Sequence, residues 1–144
     1  MAPRVDFYVL EGADDRARIV YACRLIEKAY LQRHTVCVAV ETPTQAEAID
    51  NLLWTFADQS FVPHAVASPG DSAAAAPGTP VQVASGELIA ADLLVNLRQD
   101  VPPAYENYPR VAEFVDADPA RRDAGRRRFA HYRDRGHPPE THRV

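Results

Sequence analysis

Residues 35–40, TVCVAV, are apolar at almost every position and rich in β-branched side chains. A strand with one wet face alternates polar and apolar residues. A strand that does not alternate is buried on both faces, and such strands belong to parallel sheets with helices packed above and below. This segment therefore demands helices around it, and the neighbouring sequence supplies them. Upstream, Asp14 and Asp15 open a helical stretch to about Arg33, in which Ile19, Ala22, Cys23, Ile26, Ala29 and Tyr30 form one apolar stripe. Downstream, ETPTQAEAIDNLLWTF carries helix-start chemistry: Thr42 to cap, Pro43 at the first helical position and Gln45 at capping-box spacing. Ala46, Ile49, Leu52 and Leu53 supply the inner face of that second helix.

RVDFYVL (4–10) alternates Val5, Phe7 and Val9 with more polar neighbours and reads as a strand. PVQVA (80–84), DLLVNL (92–97) and RVAEFVD (110–116) read as three more. A last helix starts at Asp118-Pro119 and stops near Gly136, and the tail, residues 137–144, is expected to be extended. Residues 67–80, small and rich in Pro and Gly, read as a mobile loop. The order βαβα–loop–βββα implies an α/β fold: one domain over 1–144, three layers α/β/α, with a mostly parallel mixed sheet. At 144 residues the chain can bury a substantial core without metals or crosslinks. Cys23 and Cys37, each among apolar neighbours, read as buried thiols. No apolar run approaches the roughly 20 residues that span a bilayer, and MAPRVDFYVL has no export-signal pattern, so no membrane partner and a cytoplasmic location are expected.

An α/β chain raises the question of a nucleotide. The first strand–helix turn, LEGADDRA, has one glycine, no lysine, and acids at Glu11, Asp14 and Asp15. A phosphate loop needs closely spaced glycines so that backbone N–H groups can approach the anion. This turn would repel one, and its acids suit a helix N-terminus instead. The histidines show no zinc spacing, and no G-x-S-x-G elbow occurs. No catalytic residues, metal or cofactor are expected. The residues argue for a binding module.

Charge points to one place on it. The net charge is −4, yet residues 121–144 hold eight arginines against three acids, +5, which leaves −9 for residues 1–120. In PARRDAGRRRFAHYRDRG, Arg122, Arg126, Phe129 and Arg133 recur at steps of four, three and four and share a helix face, with Tyr132 beside Phe129. One reading is a solvated basic face with both rings turned into the core. Another is a pocket for an acidic ligand bearing an apolar group, because guanidinium forms forked bonds to carboxylate or phosphate. A third is direct single-stranded nucleic-acid binding through this helix, which the acidic remainder of the chain opposes. A second feature is LLWTFADQSFVPHAV (52–66), where Trp54, Phe56 and Phe61 surround the end of a helix. Large aromatics there serve either as core or as anchors for a partner.

Together these regions give the chain a resemblance to the chi subunit family of bacterial DNA polymerase III. It rests on FYVL (7–10), VCVAV, LLWTFADQSFVPH (52–64), DLLVNL, RVAEFVD and RRRFAHYRDRGH, and it covers nearly the whole sequence. The resemblance implies a noncatalytic accessory protein of the clamp-loader assembly. It also implies a nucleotide-binding-like fold without the phosphate loop. Two partners follow from it: the acidic C-terminal tail of single-stranded-DNA-binding protein, and the psi subunit or an equivalent. A helicase shares the psi surface in some relatives, and contact with nucleic acid is mainly indirect. By motif, the tail-binding residues are Arg122, Arg126, Phe129, Tyr132 and Arg133, and the psi-binding residues are Trp54, Phe61, Val62 and Pro63. Phe56 remains core. Two positions depart from the pattern: Phe129 stands where a tyrosine is common, and Ala130 where a basic residue can occur. Weaker tail binding, or compensation by Arg127 and Arg128, would follow.

Overall fold

Both faces of the TVCVAV segment are indeed covered. In the computed structural model, which describes residues 3–56, 62–67 and 79–144, Val36–Ala39 is a strand with all four side chains buried. The chain runs β1 (Arg4–Val9), α1 (Asp15–Leu31), β2 (Val36–Ala39), α2 (Pro43–Thr55), β3 (His64–Ala67), β4 (Val81–Ala84), β5 (Leu93–Asn96), β6 (Arg110–Val115), α3 (Pro119–Asp134) and β7 (Glu140–Arg143). A short 3₁₀ turn, Pro103–Asn107, precedes β6. The strands form one sheet in the order β3-β4-β2-β5-β6-β1-β7. Every pairing in it is parallel, a stricter arrangement than a mostly parallel, mixed sheet.

Strand alternation divides the core. Tyr8, Val36, Val38, Leu93, Val95 and Phe114 pack with Ile26 of α1 and Ile49 and Leu53 of α2. Phe7, Cys37, Leu94, Val111 and Val115 pack on the other side with Tyr132 of α3 and with Tyr105 and Tyr108. Three layers result, with α1 and α2 on one face of the sheet and α3 on the other. Burial pushes the Cys23 thiol up to about 12 and raises Cys37 as well, which makes both poor nucleophiles.

The helix ends follow local chemistry. Asp14, Thr42 and Asp118 each accept a hydrogen bond from a backbone N–H in the first turn of their helix. Gln45 Oε1 reaches back to accept from Glu41 N–H at 2.7 Å. Helix α3 ends at Gly136 (φ 85°), with the His137 N–H bonded to Tyr132 O and the Gly136 N–H to Arg133 O. Helix α1 closes in the same way, but with Arg33 at φ 64°. An L-residue in that region costs about 1–2 kcal/mol, part of which glycine would give back as unfolded-state entropy. Arg33→Gly is therefore expected to raise the thermal midpoint by about 2–4 °C. A lower midpoint would mean that the arginine side chain stabilises the fold by more than its backbone costs.

Two strands escape the sequence reading. β3 falls beside the aromatic stretch, and β7 forms where only an extended tail is expected. Of the proposed loop 67–80, Ala67 closes β3 and Thr79-Pro80 leads into β4, while 68–78 lies outside the described residues. Among the described residues, no helix is long and apolar enough to cross a membrane.

Candidate functional site

Helix α3 is pinned to the sheet by its polar residues. Glu113 of β6 is fully buried and accepts from Arg128 Nε (2.8 Å), Tyr132 Oη (2.7 Å) and Asn96 Nδ2 (2.8 Å). Burial pushes this carboxyl up, and the Arg128 charge and the hydrogen bonds from Asn96, Tyr132 and Arg128 oppose that shift. Arg128 and Tyr132 stand four residues apart, so their side chains share the inward face of the helix. Tyr132 is completely buried, and its hydroxyl pKa is raised by the same burial and by Glu113. Two expectations are thereby corrected. Tyr132 cannot touch a surface ligand, and Arg128, spent on Glu113 and on Gln99 O, cannot compensate for Ala130.

With that face fixed, the next face of α3 overlooks the β1–β7 end of the sheet. Arg122, Arg126 and Phe129 line a groove of about 370 Å³ there. Its floor is Phe7, Val9, Val115 and Gly125, and its far side is Thr141 and Arg143 of β7. Phe129 is half-buried and meets Phe7 edge-on, with ring centroids 5.2 Å apart. Arg122 is exposed, and no hydrogen bond or ion pair to its side chain occurs among the described residues. Arg126 is 73% exposed, with one loose ion pair to Asp123 at 3.7 Å. Arg127 and Arg133 lie away from the groove lining, so the compensation expected of Arg127 is not placed there, and Arg133 pairs with its neighbour Asp134. The groove thus combines an apolar floor with guanidinium groups free to take an anion. Sequence reasoning missed Phe7 and Val9, which lie far from α3 in sequence, Val115, Thr141 and Arg143 of the strands flanking it, and Gly125 of α3 itself. The single signal available was the alternation that puts Phe7 and Val9 on one face of β1.

Gly125 marks how closely α3 approaches the sheet, because a methyl group there would overlap Val115 Cγ1. On the other face of β1 and β7, Asp6 is buried and binds Arg110 Nε at 3.2 Å, Arg4 Nε at 3.2 Å and His142 Nε2 at 2.9 Å. Arg4 also reaches Glu140, at 3.3 Å. Burial alone would raise the Asp6 carboxyl, but the hydrogen bonds from His142 and Arg110 and the two arginine charges hold it below its ordinary value. Asp6, Glu140 and His142 have ligand atoms close enough for a metal. Two guanidinium groups already on those carboxylates oppose a cation, so the cluster acts as a clasp for β7.

The aromatic stretch lies at the opposite sheet edge. Trp54, at the end of α2, is 46% exposed, with its ring 4.4 Å from that of His64. His64 Nδ1 lies 2.7 Å from Val62 O, and Nε2 lies 2.8 Å from Asp50 Oδ1, off the hydrogen-bond direction. Pro63 is partly exposed and Phe56 packs against the core. Val62 is fully buried, so it supports this surface from beneath and is not part of it, which corrects its place among the docking residues. Phe61 lies outside the described residues.

Where open α/β sheets hold nucleotides, at the carboxyl ends of the strands, Arg98 and Arg121 line a groove of about 340 Å³. Arg98 donates to Val40 O, Ala84 O and Gly86 O, and Arg121 to Ala13 O and Asp116. A Cβ at Gly12 would meet open space, so this glycine serves no close backbone approach.

The family model described as DNA polymerase III chi subunit, HolC, matches residues 2–140. The chain belongs to the DNA polymerase III chi subunit family. It is 40% identical to the DNA polymerase III subunit chi of Pseudomonas aeruginosa over 98% of this chain and 96% of that protein. The Haemophilus influenzae subunit chi is 29% identical over 100% and 99%. The Escherichia coli subunit chi is 27% identical over 79% and 77%. The chain is accordingly a subunit of the replicative DNA polymerase III, with partners inside that holoenzyme.

Proposed function

We propose that this chi-family chain is a noncatalytic, cytoplasmic adaptor of the clamp-loader assembly. One edge takes the acidic C-terminal tail of single-stranded-DNA-binding protein, and the other docks psi or an equivalent subunit. The groove lined by Arg122, Arg126 and Phe129 carries the reading, since it pairs a guanidinium group at Arg122, unpartnered among the described residues, and a loosely paired one at Arg126 with an apolar floor. A short acidic peptide ending in an aromatic residue offers the matching chemistry: a free carboxylate for the fork of an arginine and a ring for Phe7 and Phe129. The half-exposed Trp54 supports the second surface, where large rigid aromatics anchor protein partners. The two surfaces stand at opposite ends of a seven-stranded sheet, about 29 Å apart at ordinary strand spacing, so neither partner would exclude the other. A helicase presenting to the Trp54 surface would instead compete with psi.

The test is a fluorescence titration with a labelled acidic peptide ending in phenylalanine. Arg122→Ala and Arg126→Ala should each weaken binding about tenfold, the worth of one charge-assisted contact. Trp54→Ala should leave the peptide unaffected while losing holoenzyme subunits in a pull-down. Equal peptide affinity for the wild type and both arginine variants would remove the groove from the reading. Tight binding of a labelled single-stranded oligonucleotide without any partner protein would favour direct nucleic-acid binding by α3.

A further inference from the structure

We infer that the terminal strand β7 is a working wall of the tail-binding groove, and that Arg143 is its third anion-binding group. This rests on the reading of the groove as the tail site and adds a residue and an element to it. The motif residues all lie on α3, but a helix face alone is convex and gives a peptide only one side to lean on. Register supplies the other side. β7 pairs with β1 in parallel, with Phe7 opposite Thr141 and Val9 opposite Arg143. Residues in register on parallel strands point to the same face. Thr141 and Arg143 therefore share the α3 side with Phe7 and Val9, and the groove is closed by them. Glu140 and His142 alternate to the far face, where they join Arg4 and Asp6.

This division of labour accounts for a strand with almost no apolar character. One face of β7 fastens it by charge to a buried carboxylate, and the Val144 N–H extends the attachment to Val9 O at 3.0 Å. The other face is left for a ligand. Arg143 is exposed, and among the described residues its side chain has no ion pair or hydrogen bond. It stands across the apolar floor from Arg122 and Arg126. An anion above that floor is met by guanidinium groups from two directions, which fixes a terminal carboxylate better than a single row does. Because binding then bridges α3 and β7, the ligand should also hold β7 in place.

The experiment compares the full-length chain with Arg143→Ala, Arg143→Lys and, as a control, Arg127→Ala, using the same labelled peptide with free and amidated C-termini. Backbone hydrogen exchange at residues 141–144 is read with and without peptide. Arg143→Ala should weaken the free-carboxylate peptide about fivefold, with Arg143→Lys in between and Arg127→Ala unchanged. The amidated peptide should bind more weakly and be indifferent to Arg143. Exchange at 141–144 should slow when peptide is bound. If the wild type binds in an Arg126-dependent way but neither affinity nor β7 exchange responds to Arg143 or to peptide, the inference is wrong while the groove reading stands. If the wild type does not bind the peptide, both fall together.

Discussion

Arg128→Ala should destabilise the chain by about 3–5 kcal/mol, the cost of leaving a buried carboxylate without its counter-charge. Glu113 is completely buried, and Arg128, itself 7% exposed, is its only cationic partner among the hydrogen bonds and ion pairs of the described residues. Removing Glu113 instead would strand Arg128, the Tyr132 hydroxyl and one Asn96 donor bond together. Urea denaturation measures either effect. A double change, Glu113→Leu with Arg128→Met, should recover only part of the loss. The uncompensated charge disappears, but Tyr132 and Asn96 still lose their acceptor. A loss below about 1 kcal/mol for Arg128→Ala would place the pair in the range of solvated surface bridges and would refute its role as the pin for α3.

Gly125→Ala sets two rules against each other. In an isolated helix, alanine is favoured over glycine by about 1 kcal/mol. Here the added methyl would overlap Val115 Cγ1 on the sheet, and overpacking of this kind costs about 1–3 kcal/mol. The expected net result is a lower thermal midpoint and weaker peptide binding, because Gly125 and Val115 also form part of the groove floor. Combining Gly125→Ala with Val115→Ala should restore much of the stability by opening room for the methyl. A Gly125→Ala variant more stable than the parent would show that α3 does not depend on this close approach.

The central layer was legible because burial on both faces leaves a compositional mark. A strand such as VCVA cannot be mistaken for a wet one, and caps at Asp14, Thr42 and Asp118 announce the helices. β7 was not legible. Glu-Thr-His-Arg has no apolar alternation, since what attaches it is a set of ions on the far side of the sheet, more than 130 residues away in sequence. Glu113 gave a partial signal as a charge between Val111 and Val115 on an inward-facing row. Nothing local identified its partners.

The terminal helix shows where sequence and tertiary structure divide the work. Spacing alone determined that Arg122, Arg126, Phe129 and Arg133 lie along one side of a helix, because 3.6 residues per turn admits no other arrangement. Which side faces the sheet depends on contacts that periodicity does not contain. The Glu113 carboxylate draws Arg128 and Tyr132 inward, and Gly125 lets the helix settle on Val115. That rotation buries a tyrosine counted with the binding face, leaves Arg133 outside the groove, and brings Arg143 opposite Arg122 and Arg126. The sequence by itself determined an α/β chain with a basic, aromatic-bearing helix. Only the tertiary structure decided which of those side chains share a groove, because a buried charge must find its partner wherever the chain can supply one.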